Sequence, residues 1–196
     1  MCSIREAGTE PRGKTRFFKP GVSSMSKIEI ADLKIKPASL EEVEVACDIL
    51  QEAARWLMAR GETLWHLDEL TPEHFRPVAQ QGELFLAYLN LRAVGTFTYQ
   101  LSDPLFWPRI PAGTSAFLHK VAVRREVAGQ GVAIAMVAWA KEQARAAGLS
   151  YLRLDTDFNR PKLRSFYERL GFTCVGAKQL TRLGYPLHVA LYELKL

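Results

Sequence analysis

Two stretches of the sequence hold residues whose types and spacing could do chemistry. In the first, Leu118-His119-Lys120-Val121-Ala122-Val123 reads as a strand, and Ala128-Gly129-Gln130-Gly131-Val132-Ala133 follows as a glycine-rich turn opening a helix. Glycines let backbone N–H groups face outward without a Cβ in the way, and a helix start adds partial positive charge. Together they suit the seat of a diphosphate. Gly-Gln-Gly before a helix is also the composition of an ordinary tight turn, so both readings stay open on these residues alone. In the second stretch, Leu154-Asp155-Thr156-Asp157-Phe158-Asn159 leads to a helical run in which Leu163, Phe166, Tyr167 and Leu170 share a face. A tyrosine so placed reads as a core residue with its hydroxyl satisfied locally. Asn159, before Pro161, reads as a helix N-cap.

Metal chemistry finds little support. Cys2, Cys47 and Cys174 are odd in number and widely spaced, and His66, His74, His119 and His188 are equally scattered. Asp155 and Asp157 supply only two carboxylates, whereas such sites need three or four convergent ligands. No metal is expected, and the cysteines read as free thiols.

The elements that must position these residues follow from periodicity and breakers. Ile28–Lys36 is strand-like and stops at Pro37, and Ser39 with Glu42 has capping-box spacing before a helix that Gly61 ends. Thr71-Pro72-Glu73 starts a short helix reaching about Gln80. Leu84–Leu89 and Ala93–Leu101 read as a hairpin across Asn90, and Ser102–Thr114 is a Pro-rich loop with unusual apolar content. Phe117–Val123 is a strand, and the helix after Gly129 runs to Gly148. Tyr151–Asp155 is a strand, Pro161–Leu170 a helix, and two strands near Thr173–Arg182 and Leu187–Leu194 finish the chain. The order β α α β β β α β α β β implies one parallel pair in a mostly antiparallel sheet, an α+β or mixed α/β domain with helices on its faces. His119 has the strand parity of Val121 and Val123, so the three side chains are expected to face the same way.

The segment from Leu154 to Asn159 and the helix ending Phe166-Tyr167-Glu168-Arg169-Leu170-Gly171-Phe172 resemble the C-terminal signature of the GNAT superfamily of N-acyltransferases. The turn Ala128–Ala133 likewise resembles that family's acyl-CoA motif, Arg/Gln-x-x-Gly-x-Gly/Ala. The two motifs stand in the family's order and at about its spacing, over roughly Ile28 to Leu196. What the resemblance implies is a GNAT-like, mostly antiparallel seven-stranded sheet with one central parallel pair, and acetyl-CoA as co-substrate. Ala128 departs from the motif, because its side chain cannot reach a phosphate. Pyrophosphate binding would rest on backbone N–H groups from Gly129 through Gln130, Gly131 and Val132 to Ala133.

The resemblance also implies roles. The backbone of Val121 and Val123, flanking Ala122, would pair with the pantetheine arm as with a strand, and an N–H there would stabilise the oxyanion. Tyr167 would protonate the departing CoA thiolate, Asn159 would bind the pantetheine region or the strand end, and Phe166 would pack near the cofactor. In the family a glutamate often stands at the equivalent of His119 and takes a proton. His119 can do the same near neutral pH, or simply pack against a helix. Trp56, Trp65, Phe106 and Trp107 would either line an acceptor pocket or serve ordinary packing.

Composition bounds the remaining choices. At 196 residues, 48% hydrophobic and 24% charged, the chain suits one soluble domain with a sizeable core, and no apolar run approaches a membrane span. The net charge of +5 is concentrated at the start: residues 1–27 hold six Lys/Arg against two Asp/Glu, and the remainder 20 against 19. The nearly neutral remainder argues against nucleic acid as a partner. We read 1–26 as a basic tail and 27–196 as the acyltransferase domain, with the cytoplasm as the default compartment. The expected activity is acetyl transfer to a primary amine of unspecified identity, and a homodimer is compatible with the sequence. The rival reading is a non-catalytic acyl-CoA sensor or interaction module on the same fold.

Overall fold

The computed structural model describes residues 32–196. The basic tail and the first half of the expected strand at Ile28–Lys36 lie outside them. Seven strands, β1 (Lys34–Pro37), β2 (Leu84–Leu89), β3 (Arg92–Gln100), β4 (Ser115–Val123), β5 (Tyr151–Asp157), β6 (Thr173–Arg182) and β7 (Tyr185–Lys195), form one sheet in the order β1-β2-β3-β4-β5-β7-β6. Every neighbouring pair is antiparallel except the central β4–β5. The expected mixed sheet with one parallel pair is the observed one.

Four helices cover the two faces. α1 (Val43–Met58) and α2 (Pro72–Gln80) bury Ile49, Leu50 and Phe75 against Leu84 and Leu86 on one face. α3 (Val132–Ala146) and α4 (Pro161–Arg169) bury Met136, Val137 and Tyr167 against Phe97, Leu118 and Leu154 on the other. Alternation along β2 explains the split, since Phe85 and Ala87 join the second core while Leu84 and Leu86 join the first. The capping expectation also holds: the Ser39 amide donates to the Glu42 carboxylate at 2.9 Å, just before α1. No described helix is long and apolar enough to cross a membrane.

The loop from Ser102 to Thr114 is not a loose connection. Phe106 and Trp107 are buried with Phe117 and Val189 in a third apolar cluster. The Asp103 side chain accepts the Phe106 amide at 3.0 Å, and its carbonyl accepts the Trp107 amide at 2.9 Å. The loop's apolar content thus folds it down onto the sheet, with Asp103 fixed at its inner edge.

Two irregularities in the middle of the sheet matter for function. First, β4 and β5 pair only from Ser115–Tyr151 to Leu118–Leu154, after which β4 continues beside β3 and β5 beside β7. Second, Thr96 lies opposite Ala122 and Thr98 opposite His119, so one residue of β3 faces two of β4. That is a β-bulge, and Lys120 within it has φ +53°, a left-handed conformation uncommon for a side chain of its size.

Candidate active site

The gap opened by the parting of β4 and β5 leads into a cavity of about 1150 Å³. Its lining includes His119, Val121, Asp155, Asn159 and Tyr167, all named from the sequence, together with Lys120. The Arg124 amide donates to the Val94 carbonyl on β3 at 2.8 Å. Peptide groups alternate along a strand, so those of Val121 and Val123 point away from β3, into the gap. These are the two residues at which the family resemblance implies a free strand edge. Ala122 lies between them, buried against the α1 face, and its backbone belongs to the β3 ladder.

The bulge overturns one expectation. His119 does not share a face with Val121 and Val123. Those two pack into the α3 core, while His119 lies on the other face, its ring centroid 6.2 Å from that of Phe106. The extra residue at Lys120 breaks the alternation that the parity argument assumed. Both His119 and Lys120 therefore face the side covered by α1, α2 and the Ser102–Thr114 loop.

There His119 stands between two carboxylates. Its Nδ1 is 2.8 Å from Asp155 Oδ1, and its Nε2 is 3.4 Å from Asp103 Oδ2. Sequence spacing suggested no convergence of ligand-type side chains, yet the fold brings these three within 4.8 Å. His119 and Asp155 share a hydrogen bond, whereas Asp103 Oδ2 faces the imidazole only as a longer ion-pair contact and is buried without a hydrogen-bond partner among the described residues. Burial alone would lower the His119 pKa, but the hydrogen bond and charge of Asp155, with the charge of Asp103, outweigh it and hold the imidazole above its ordinary value. Burial likewise raises the Asp103 carboxyl above the usual carboxylate range.

Tyr167 is 7% exposed, packs its ring against Phe166 and Phe172, and lines the cavity. No hydrogen bond from a described residue holds its hydroxyl. The local satisfaction expected of a core tyrosine is thus missing. Burial first, and the charge of Asp155 second, raise its pKa, which keeps the phenol protonated. α4 is held in register by Arg164 and Glu168, one turn apart, which bond the Tyr192 hydroxyl at 3.0 and 2.7 Å. Phe166 touches the core rather than the cavity.

Asn159 is exposed at the cavity mouth, but it does not cap α4, because Arg160 stands between it and the first helical residue. Asp157 closes the turn before the helix, its side chain accepting the Asn159 amide at 2.8 Å, and no side chain caps α4. Trp65 and Phe106 line the cavity. Trp107 is core, and Trp56 is stacked between the guanidiniums of Arg60 and Arg125 at 3.8 and 3.7 Å.

The glycine turn lies between β4 and α3, outside the cavity lining. Gly129 and Gly131 have φ +80° and +100°, and a Cβ at Gly129 would meet nothing within 4 Å, so the turn is bent for conformational reasons and open above. The Gln130 amide is taken by the Val127 carbonyl at 3.2 Å, which removes it from the expected set of free donors. The first bond within α3 is from Ala135 to Gly131, so the amides of the preceding turn, including Val132 and Ala133, have no acceptor inside the helix. Ala128 donates its amide to Arg125 at 3.3 Å and contributes no side-chain contact for a phosphate. A parted strand edge, an open glycine turn and amides without helical acceptors fit the extended arm and diphosphate of a CoA thioester.

An antiparallel sheet with one short, parting parallel pair and a helix opened by such a turn is an acyltransferase architecture. The sequence matches the Acetyltransferase (GNAT) family over residues 48–172, and the chain belongs to that family. Membership makes acetyl-CoA the co-substrate that this site has to accommodate. Over 148 residues the chain is 28% identical to the uncharacterized N-acetyltransferase YesJ of Bacillus subtilis, covering 72% of this chain and 82% of that protein. The fold is similar to that of a GNAT acetyltransferase from Listeria monocytogenes, with a TM-score of 0.67 at 19% identity over 84% of this chain and 95% of the other. It is also similar to the paia N-acetyltransferase of Thermoplasma acidophilum, solved in complex with coenzyme A. That match has a TM-score of 0.64 at 16% identity, covering 84% of this chain and 99% of the other.

Asp103, Glu69, Lys120 and Arg182 were not singled out from sequence. Asp155 was, but only as half of an incomplete metal site. No local pattern marks Asp103, which lies 16 positions before His119 in an irregular loop.

Proposed function

We propose that the protein transfers the acetyl group of acetyl-CoA to a primary amine by direct attack in a ternary complex. The observation that carries this reading is Tyr167: a buried phenol, kept protonated, without a hydrogen-bond partner among the described residues, facing the cavity where β4 and β5 part. The pantetheine arm would lie along the open edge at Val121 and Val123, and the diphosphate on the turn around Gly129 and Gly131. The neutral amine attacks the thioester carbonyl, and a β4 N–H donates to the developing oxyanion. As the C–S bond breaks, Tyr167 gives its proton to the leaving sulfur, and the proton shed by the nitrogen passes to His119. A CoA-release assay over a panel of amines, with acetyl-CoA binding followed by calorimetry, tests the reading. Binding without release from any amine would make the protein a sensor instead.

The triad predicts a pH signature. A base works in its deprotonated form, so a raised His119 pKa places the rising limb of kcat/KM above the ordinary imidazole value of about 6.5. Asp155→Asn removes the charge that holds the pKa up and leaves at most a neutral acceptor in its place, so the limb should move to lower pH. His119→Ala should remove it. A limb unchanged in both variants would assign it to the amine's own ionisation.

A further inference from the structure

The cavity that takes the acceptor carries a cationic wall which the chemistry above does not use. Lys120 Nζ sits 5.2 Å from the Trp65 ring centroid and 3.6 Å from Glu69 Oε2, a long ion pair between two side chains exposed by only 13% and 7%. Arg182, at the end of β6, lines the same cavity. No carboxylate or carbonyl among the described residues holds its guanidinium, and its charge acts on Lys120. These groups stand where the connection between α1 and α2 meets the β6–β7 turn. That junction is fixed by the stacked rings of His66 and Tyr185, 3.4 Å apart, and by the Tyr185 hydroxyl donating to Asp68 at 3.1 Å.

Lys120 and Arg182 face one cavity and repel each other, while the charges of Glu69 and Asp155 act in the opposite direction on Lys120. Burial, with the charge of Arg182 adding to it, pulls the Lys120 ammonium down to about 8. An anion placed between them would relieve that repulsion, and an arginine with no carboxylate or carbonyl partner among the described residues presents a fork suited to a carboxylate. The Asp103–His119–Asp155 cluster, beside Lys120 along the chain, supplies the opposite character for the end of the acceptor that carries the amine. The strained backbone at Lys120 has a reason in these terms: the bulge turns both His119 and Lys120 into one cavity, where strict alternation would have sent one of them into the α3 core.

We propose that the acceptor is a small aminocarboxylate, its carboxylate bound by Arg182 and Lys120 and its amine presented beside His119. This deepens the acetyltransferase reading and rests on it. The test compares amino acids with their amides and decarboxylated amines in the CoA-release assay. The aminocarboxylate should be preferred in kcat/KM, and Arg182→Gln should erase the preference chiefly through a KM raised ~10–100-fold, the scale of a lost charged hydrogen bond. Arg182→Lys, which keeps the charge and loses the fork, should restore part of it. Aminoalkyl phosphonates in the same panel decide whether carboxylate geometry or charge alone is read, and an equal preference for them would overturn the carboxylate assignment. Preference for the uncharged amines, or an Arg182→Gln effect equal on charged and uncharged partners, would overturn the proposal while leaving acetyl transfer intact. Release from no amine at all would overturn both.

Discussion

Tyr167→Phe is expected to lower turnover by ~10²–10⁴-fold, the range a positioned general acid contributes. The substitution removes one oxygen atom and keeps the ring that packs against Phe166 and Phe172 in the α3 and α4 core. Because no described residue bonds the hydroxyl, its loss leaves no protein donor or acceptor stranded, and stability should change little. Acetyl-CoA affinity should also hold, since the proposed contacts of the arm and diphosphate lie on β4 and the glycine turn. Steady-state and single-turnover rates, with thermal melting as the control, read all three quantities. Undiminished single-turnover chemistry would return Tyr167 to the role of a core residue and leave the leaving thiolate to be protonated by water.

The second large effect is expected at Gly131. A ligand that binds only the folded state at a hundredfold excess over its Kd stabilises it by about 2.7 kcal/mol, which in a chain of this size raises the Tm by roughly 5–11 °C. Gly131→Glu should abolish that shift for acetyl-CoA. The residue stands at φ +100° immediately before α3, so any side chain is strained there. A carboxylate adds repulsion at the place proposed for the diphosphate. Gly131→Ala carries the conformational strain without the charge, and it should retain part of the shift. A folded Gly131→Glu protein that still responds fully to acetyl-CoA would move the diphosphate away from this turn.

The difference between what could be read from the chain and what could not is physical. Gly129, Gly131 and the cap at Ser39 and Glu42 were legible because their geometry is set by residues within one turn of each other. The sheet's one parallel pair was legible too, because a strand, helix and strand in succession restrict how the chain can return. The triad was not. Asp103, His119 and Asp155 meet only through the pairing of β4 with β5 and the folding of an apolar loop over Phe117, and neither leaves a mark on local spacing. The orientation of His119 was misread for a related reason: the bulge at Lys120 inserts a residue whose type gives no warning of its left-handed backbone. Arg182 sits in a terminal hairpin that looks, in sequence, like an ordinary charged strand end.

The parting of β4 from β5 has a mechanical side. Only four residue pairs bridge the centre of the sheet, whereas β5 shares seven with β7 on its other side. The sheet is therefore two rafts, β1–β4 and β5–β7, coupled by four rungs and by the helices packed across them. So short a seam leaves few backbone hydrogen bonds between the two rafts. An extended ligand arm paired with β4 would add rungs at the seam itself, so that the rafts move as one cooperative unit when the site is loaded and as two when it is empty. The co-substrate would then be a structural strand of the protein for as long as it stays, and its departure would loosen the same seam through which the acetylated product has to leave.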